Sequence, residues 1–326
     1  MKKTIIQFSV LLASSMLLCN PCLPNGMPAK TLPPPAKTQN LPAFVINLLG
    51  LQKANPQPTF GKQYINGYES WKDFAAFYVV PADDQNSATH LLTNKRYYSG
   101  KYSHSANIFA ENPVIINQNT NHRAYPTYQF NKTSLGVITH AVFIEYEVWA
   151  DFTLSAQPNA NWFSLGTFTS YSDQYWARGF LINVDNTNKI NLMHVPQNGE
   201  SIRDIHENTT IKFPYKQWVR ISVYIDYTAN NKFNSPFVAV WQNGTLVSAA
   251  RFDNRIDPAT LFQDPQQPAC LNGLPSTSSI EEIENACGLV FTNGLAQAHF
   301  GLYAPPLLGA GNIYNDALKV SEVLFP

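Results

Sequence analysis

From Gly61 onward, apolar and polar positions alternate with a period of two through a series of short runs, the pattern of strands with one buried side. The longest run spans residues 141–152. Val142, Ile144, Tyr146, Val148, Ala150 and Phe152 fall on one side; Phe143, Glu145, Glu147, Trp149 and Asp151 fall on the other. Residues 218–227 alternate as regularly, with Val219, Ile221, Val223 and Ile225 inward and Trp218, Arg220, Ser222, Tyr224 and Asp226 outward. Further strands are predicted over 162–169, 179–185, 189–195, 237–241, 245–251, 298–303 and 313–323. Asn186-Thr187-Asn188 and Asn243-Gly244 read as hairpin turns, since Asn and Gly accept the positive φ that tight turns require. A helix is predicted over 280–286, where Ser279 and Glu282 have the spacing of a capping box. So many strands, with little helix and no internal repeat, predict an all-β, two-sheet antiparallel β-sandwich of jelly-roll type rather than a propeller.

The first sixty residues follow a different pattern. Lys2 and Lys3 precede an apolar run at 4–18 that is short for a membrane span, which predicts a signal peptide over 1–25 and a secreted protein, extracellular or periplasmic. Residues 26–60 read as a Pro-rich linker containing Pro33-Pro34-Pro35 and one apolar island, 44–51, with the length of a short docking helix. The folded domain is then expected over 61–326. Cys19 offers lipid anchoring as an alternative, although Leu18 is larger than the residue that normally precedes a lipidated cysteine. No later run is apolar enough for a transmembrane segment.

Composition narrows the partners. Lys plus Arg and Asp plus Glu number 22 each, so no global field attracts nucleic acid, and an anionic ligand must be met by a local basic cluster. Cys270 and Cys287 remain once the signal border is set aside, and in an oxidising compartment they are expected to form a disulfide closing a loop worth about 3 kcal/mol. No C-x-x-C or histidine pair stands beside them to hold a metal instead. Asp185-Asn186 and Asn315-Asp316 lack EF-hand spacing. No metal and no cofactor are therefore expected, and the chain is expected to be a monomer.

The densest cluster of reactive side chains is Asn-Thr-Asn-His-Arg-Ala-Tyr-Pro-Thr at 119–127. His122 can move a proton near neutral pH, Arg123 can clamp a carboxylate, and Tyr125 can donate or accept. His104 lies upstream. Cleaving a polyuronate by β-elimination needs these types: a cation for the carboxylate, a base for the C5 proton and an acid for the leaving oxygen. The structural alternative is a strand-edge turn in which Arg123 is held in an ion network. Glu145 and Glu147 stand about 7 Å apart on one strand face, within the range of paired glycosidase carboxylates, and Trp149 beside them could stack on a sugar. An ordinary solvated strand face explains the carboxylates as well. His194 follows apolar Ile190 and Leu192 in the same alternation and reads as a core or rim histidine.

In the C-terminal half, Gln217-Trp218-Val219, Tyr224-Ile225-Asp226, Val240-Trp241-Gln242-Asn243-Gly244, His299-Phe300-Gly301-Leu302-Tyr303 and Ile313-Tyr314-Asn315-Asp316 occur in that order. This order resembles the concanavalin A-like lectin/glucanase superfamily, in particular its jelly-roll polysaccharide lyases. The resemblance, over about residues 100–326, implies two bent antiparallel sheets with a glycan chain across the concave one. The alginate-lyase branch carries Lys-x-Gly-x-Tyr on a late strand, with a proton-transferring tyrosine. Here Gly301 and Tyr303 keep that spelling, and His299 stands where the lysine would be. The branch's Arg-x-Glu-x-Arg and its mid-chain Gln-x-His are not at the equivalent places; Gln297-Ala298-His299 has the latter spelling on the late strand.

These readings converge on a secreted carbohydrate-active protein with a polysaccharide or glycan as partner, first a lyase acting on a uronate-containing polymer. Its catalytic candidates are Tyr303, His299, His122 and Arg123; its substrate-binding candidates are Tyr125, His104, Trp149, Glu147, Arg220 and Tyr224. A lectin-like binding module is the main alternative, with a glycoside hydrolase and an adhesion protein behind it. The polar sides of 141–152, 218–227 and 298–303 are expected to line one concave surface, their opposite sides forming the core.

Overall fold

The computed structural model describes residues 40–52, 57–74, 78–79, 88–111, 121–156, 161–169, 179–195, 206–207, 210–228, 231–232, 234–252, 271–287 and 294–325. The expected signal peptide, Cys19 and Cys270, and with it the disulfide to Cys287, lie outside them.

The strands are β1 (Thr59–Asn66), β2 (Tyr78–Val79), β3 (Ala88–Thr93), β4 (Ser103–Ile108), β5 (His122–Ala124) and β6 (Pro126–Gln129). Then come β7 (Ala141–Asp151), β8 (Trp162–Thr169), β9 (Gly179–Asp185), β10 (Ile190–Val195) and β11 (His206–Glu207). β12 (Val219–Asp226), β13 (Phe237–Gln242), β14 (Thr245–Arg251), β15 (Gln297–His299), β16 (Leu302–Ala304) and β17 (Gly311–Leu324) complete the set. The helices are α1 (Ala43–Leu49), α2 (Trp71–Phe74) and α3 (Ile280–Cys287). Two antiparallel sheets face each other as a jelly-roll β-sandwich. The first has the order β14-β13-β12-β7-β17-β4-β3, with β1 also on β17; the second has the order β11-β10-β9-β8-β15-β6-β2. The pair β16–β5 continues the β15 and β6 segments beyond a kink.

The alternation read from β7 is the alternation observed. Val142, Ile144, Tyr146, Val148 and Ala150 enter the core between the sheets, as do Ile221, Val223 and Ile225 of β12. From the second sheet Tyr128, Phe163, Phe168, Ile182 and Phe300 meet them, and Phe300 stands edge-on to Tyr146 at 4.8 Å. Each such large apolar side chain stabilises the fold by roughly 1.5–3 kcal/mol relative to exposure. Asn243 and Gly244 take φ of 50° and 79° at the β13–β14 hairpin, so the Asn-Gly turn forms where it was predicted. α3 starts on the predicted box: Ser279 N donates to Glu282 Oε2 (2.6 Å) and Glu282 N to Ser279 Oγ (3.3 Å).

Helix α1 covers part of the outer face of the first sheet. Val45 and Leu49 are buried, and Phe44 meets Trp241 at 5.2 Å and Phe143 at 6.3 Å. Phe143, Tyr224, Ala239 and Trp241 belong to this second apolar cluster, which explains why β13 is apolar on both sides.

Two expectations are corrected. The segment 298–303 is not one strand: it breaks at Gly301, whose φ is +148°. The three polar sides do not share a surface either, because β7 and β12 lie in the first sheet and β15 in the second. Alternation tells which side of a strand meets the core. It does not tell which sheet the strand joins, and the outer faces of two opposed sheets look in opposite directions.

Candidate functional site

β5 and β16 pair with Tyr303 opposite Arg123 and Ala304 opposite His122. His122 and Ala124 are fully buried while Arg123 is half-buried, so the alternation that turns Arg123 outward turns His122 inward. The imidazole Nε2 of His122 meets the Leu308 carbonyl at 3.1 Å. His122 is therefore set apart from the outward cluster.

On the outer face, four of the expected residues, Arg123, Tyr125, His299 and Tyr303, come together. His299 lies flat on Tyr125, centroids 4.6 Å apart and planes 13° apart. Tyr303 stands edge-on to Tyr125 at 6.4 Å, and the Arg123 guanidinium carbon lies 6.0 Å from the Tyr303 ring centre. Three residues complete the group. Asn121 Nδ2 donates to the Tyr303 hydroxyl at 2.8 Å, Trp162 meets Tyr303 edge-on at 5.4 Å, and Gln297 Nε2 lies 2.7 Å from His299 Nε2. Asn121 sits inside the polar stretch already singled out. Gln297 precedes His299 by two, which is the same face of a strand, and Trp162 opens β8 on the outward side; period-2 reading alone could have named both.

Burial, and then the neighbouring charge of Arg123, push His299 down to about 3, so its imidazole is neutral at neutral pH. Arg123 Nε is buried with no hydrogen-bond partner among the described residues, an incomplete donor set of the kind a carboxylate completes. The ion network offered as the structural alternative for Arg123 is not seen among the described residues.

Gly301 separates His299 from Tyr303. A Cβ there would lie 2.7 Å from both His104 Cε1 and Tyr125 Cβ, and 2.8 Å from the Ala124 carbonyl oxygen. Glycine is required there by crowding on the inner side and by the positive φ. His104 is fully buried in that crowd, with Asn315 Nδ2 at 3.3 Å from its Nδ1 and His90 Nδ1 at 3.3 Å from its Nε2. Burial, then His90, lower its proton affinity well below the ordinary histidine value. It lies behind the cluster, not on its surface.

The remaining candidates lie on the outer face of the other sheet. Arg220 Nε donates to Glu147 Oε1 at 2.7 Å, and its Nη2 donates to the Tyr98 hydroxyl at 3.1 Å. Burial raises the Glu147 carboxyl, with Arg220 opposing. Trp149 is not an open platform: the Arg96 guanidinium covers its ring at 3.8 Å, Tyr314 stands at its edge, and 7% of the residue is exposed. Tyr224 lies buried in the cluster under α1. His194 stacks on Phe180 at 4.9 Å, on the core side as its alternation suggested. Among the described residues no group of three or more His, Cys, Asp or Glu could hold a metal ion, and no helix is long and apolar enough to cross a membrane.

The chain is similar to jelly-roll polysaccharide lyases. The endo-β-1,4-glucuronan lyase of the fungus Trichoderma reesei aligns with 81% of this chain and 95% of its own, at 12% identity and a TM-score of 0.49. An alginate lyase from a Chlorella virus covers 75% of this chain and 100% of its own, at 12% identity and a TM-score of 0.42. An alginate lyase of polysaccharide lyase family 7 covers 70% and 83%, at 8% identity and a TM-score of 0.42. No family model and no curated protein matches the sequence.

Proposed function

We propose that this chain is a secreted lyase that cleaves a uronate-containing polysaccharide by β-elimination at the Tyr303 cluster. The observation that carries the reading is the convergence of Arg123, Tyr125, His299 and Tyr303 on one outward face, with His299 and Tyr303 against Tyr125 and Arg123 beside Tyr303. Arg123 neutralises the uronate carboxylate and so makes the C5 proton easier to remove. Neutral His299 takes that proton. The C5 electron pair forms the C4–C5 double bond as the C4–O4 bond breaks, and the Tyr303 hydroxyl protonates the departing oxygen. Solvent returns the proton from His299 to Tyr303. Turning the Gln297 side-chain amide over would set its Oε1, which has no partner among the described residues, against a protonated His299 Nε2 and leave Nδ1 as the base.

The unsaturated uronate product absorbs in the ultraviolet, so incubation with a panel of polyuronates tests the proposal directly. Rising absorbance on at least one polymer is expected; none on any polyuronate overturns it. A non-catalytic, lectin-like reading draws on the aromatic wall of Trp162, Tyr303 and Tyr125. It predicts retention on the same polymers without product.

A further inference from the structure

The loop joining β3 to β4 meets the outer face of the first sheet, on the opposite side of the sandwich from Tyr303. Its residues 95–102 read Lys-Arg-Tyr-Tyr-Ser-Gly-Lys-Tyr, three cations and three phenol rings, and residues 94–101 are all exposed. The whole chain carries equal numbers of acidic and basic side chains, so this charge is a local feature.

The loop is held from beneath. Asp316, fully buried, accepts hydrogen bonds from the Tyr98 and Ser99 amides at 2.7 and 3.0 Å. The Glu69 carboxylate accepts from the Lys101 amide at 3.1 and 3.0 Å. Both acids are thus engaged by the backbone of the loop, and Lys95, Arg96 and Lys101 form no ion pair among the described residues. The Arg96 guanidinium carbon lies 3.8 Å from the centre of the Trp149 ring. Tyr98 stands edge-on to half-buried Trp218 at 6.0 Å, and its hydroxyl accepts from Arg220 Nη2. Tyr97 and Tyr98 nevertheless stay 47% and 45% exposed. Rigid tyrosines on a pinned loop give a large contact area at little entropic cost, as binding loops do.

We propose that Lys95, Arg96, Tyr97, Tyr98, Lys101 and the adjoining Trp218 form a second, non-catalytic site that anchors a polyuronate. Each uronate unit presents a carboxylate and an apolar C–H face, and the loop offers cations and aromatic rings side by side. A neutral glycan would leave the cations without partners. Nucleic acid is the poorer fit, because three cations on a chain of zero net charge release few counterions. Lying opposite Tyr303, the loop does not place the scissile linkage. It holds the protein on the polymer and so raises the concentration of linkages near the Tyr303 cluster. The choice of a uronate among anions rests on the lyase reading; the cationic-aromatic site does not.

Affinity electrophoresis through gels holding alginate or glucuronan reads the site, with polymer-free gels correcting for altered charge. Arg123→Ala in every protein compared weakens the contribution of the Tyr303 cluster. Arg123→Ala alone should still be retarded, and adding Lys95→Ala, Tyr97→Ala and Lys101→Ala should weaken apparent affinity about tenfold. Those three side chains make no hydrogen bond or ion pair among the described residues; Lys95→Gln with Lys101→Gln replaces them if the combined variant melts early. Retardation that the loop changes leave intact, or that Arg123→Ala alone abolishes, overturns the proposal. Equal loop-dependent retardation by dextran sulfate, which has no uronate, also overturns it, since the loop would then bind polyanions at large. With Arg123 intact, the loop variant should keep wild-type turnover on short polyuronate oligomers and lose efficiency only on long polymer. An equal loss on both would put the loop in the reacting site and overturn its separate role. Should wild type form no unsaturated product on any polyuronate, the lyase reading fails, and the electrophoresis alone decides on the loop.

Discussion

The imidazole of His299 and the phenol ring of Tyr125 lie face to face, 4.6 Å between centroids and 13° from parallel. Tyr125 also receives the edge of Tyr303, so one aromatic ring on the β5–β6 side fixes two groups from the kinked β15–β16 segment. The break at Gly301 and the stacking on Tyr125 together set the spacing that the proposed chemistry uses.

Tyr303→Phe keeps that ring packing and removes only the hydroxyl, with its bond from Asn121. Turnover on a polyuronate should fall at least about a hundredfold while KM changes little, because proton donation belongs to the transition state. Steady-state kinetics on the best polymer of the panel checks this. A Tyr303→Phe protein with wild-type kcat would remove the tyrosine from the proposed mechanism.

On the proposed mechanism Arg123→Ala should weaken binding and turnover together, since the carboxylate would be held before and during the reaction. Arg123→Lys should recover part of KM and less of kcat, because an ammonium supplies charge without the planar fork. Full recovery of both by lysine would mean that charge alone matters there.

His299 gives a pH prediction. Its folded value is about 3 against an ordinary 6.5, so it favours the fold fully above 6.5, and that contribution is lost as pH falls from 6.5 toward 3. Melting temperatures of wild type should drop across that window more steeply than those of His299→Gln, in which this titration is absent. The carboxylates that titrate there are common to both proteins and cancel in the comparison. Parallel curves would show that His299 ionises alike in the folded and unfolded chain.

The sandwich was legible in the sequence because each sheet is buried on one side, and β7 and β12 write that burial as strict alternation. The Asn243-Gly244 turn and the Ser279–Glu282 box were legible for a similar reason: each is decided by neighbours in the chain. Sheet membership was not, since it is decided by residues far apart in sequence. That is why Glu147 and Trp149 were grouped with His299 although they lie on opposite sides of the sandwich. The cover over an outer face was equally hidden. Tyr224 alternates as an outward residue, and it is buried in a cluster that α1, far earlier in the chain, helps to form. His122 was placed with Arg123 by adjacency, where β5 separates them by facing them in opposite directions.

Gly301→Ala should destabilise the fold by about 1–3 kcal/mol, because φ of +148° is strained for any side chain and the new Cβ meets His104 and Tyr125 at 2.7 Å. Chemical denaturation measures the loss. His104→Ala in the same protein should relieve part of it by emptying the space beneath, so the two changes should be less than additive. Strict additivity would place the strain in the backbone angle alone.

The last prediction concerns Glu147, raised by burial and held by Arg220, with Glu145 raising it further. Tyr98 reaches Arg220 from the β3–β4 loop, and Asp316 on β17 is the cross-strand neighbour of Glu147. A carboxyl raised on folding leaves the fold most stable below its ordinary value of 4.5, and that advantage is lost as pH rises through the folded value. Arg220→Met takes away the opposing cation, so the folded value rises further and the loss at neutral pH grows. Below 4.5 the variant should melt close to wild type. At neutral pH it should be weaker by about 1–2 kcal/mol, below the range for a fully buried pair because Arg220 itself is half exposed. Adding Glu147→Gln removes the buried charge and should restore most of the neutral-pH stability. Thermal melts of the four proteins from acid to neutral pH check the cycle. A deficit in Arg220→Met that stays constant with pH would show that Arg220 supports the sheet through packing and its Tyr98 contact, not through the Glu147 charge.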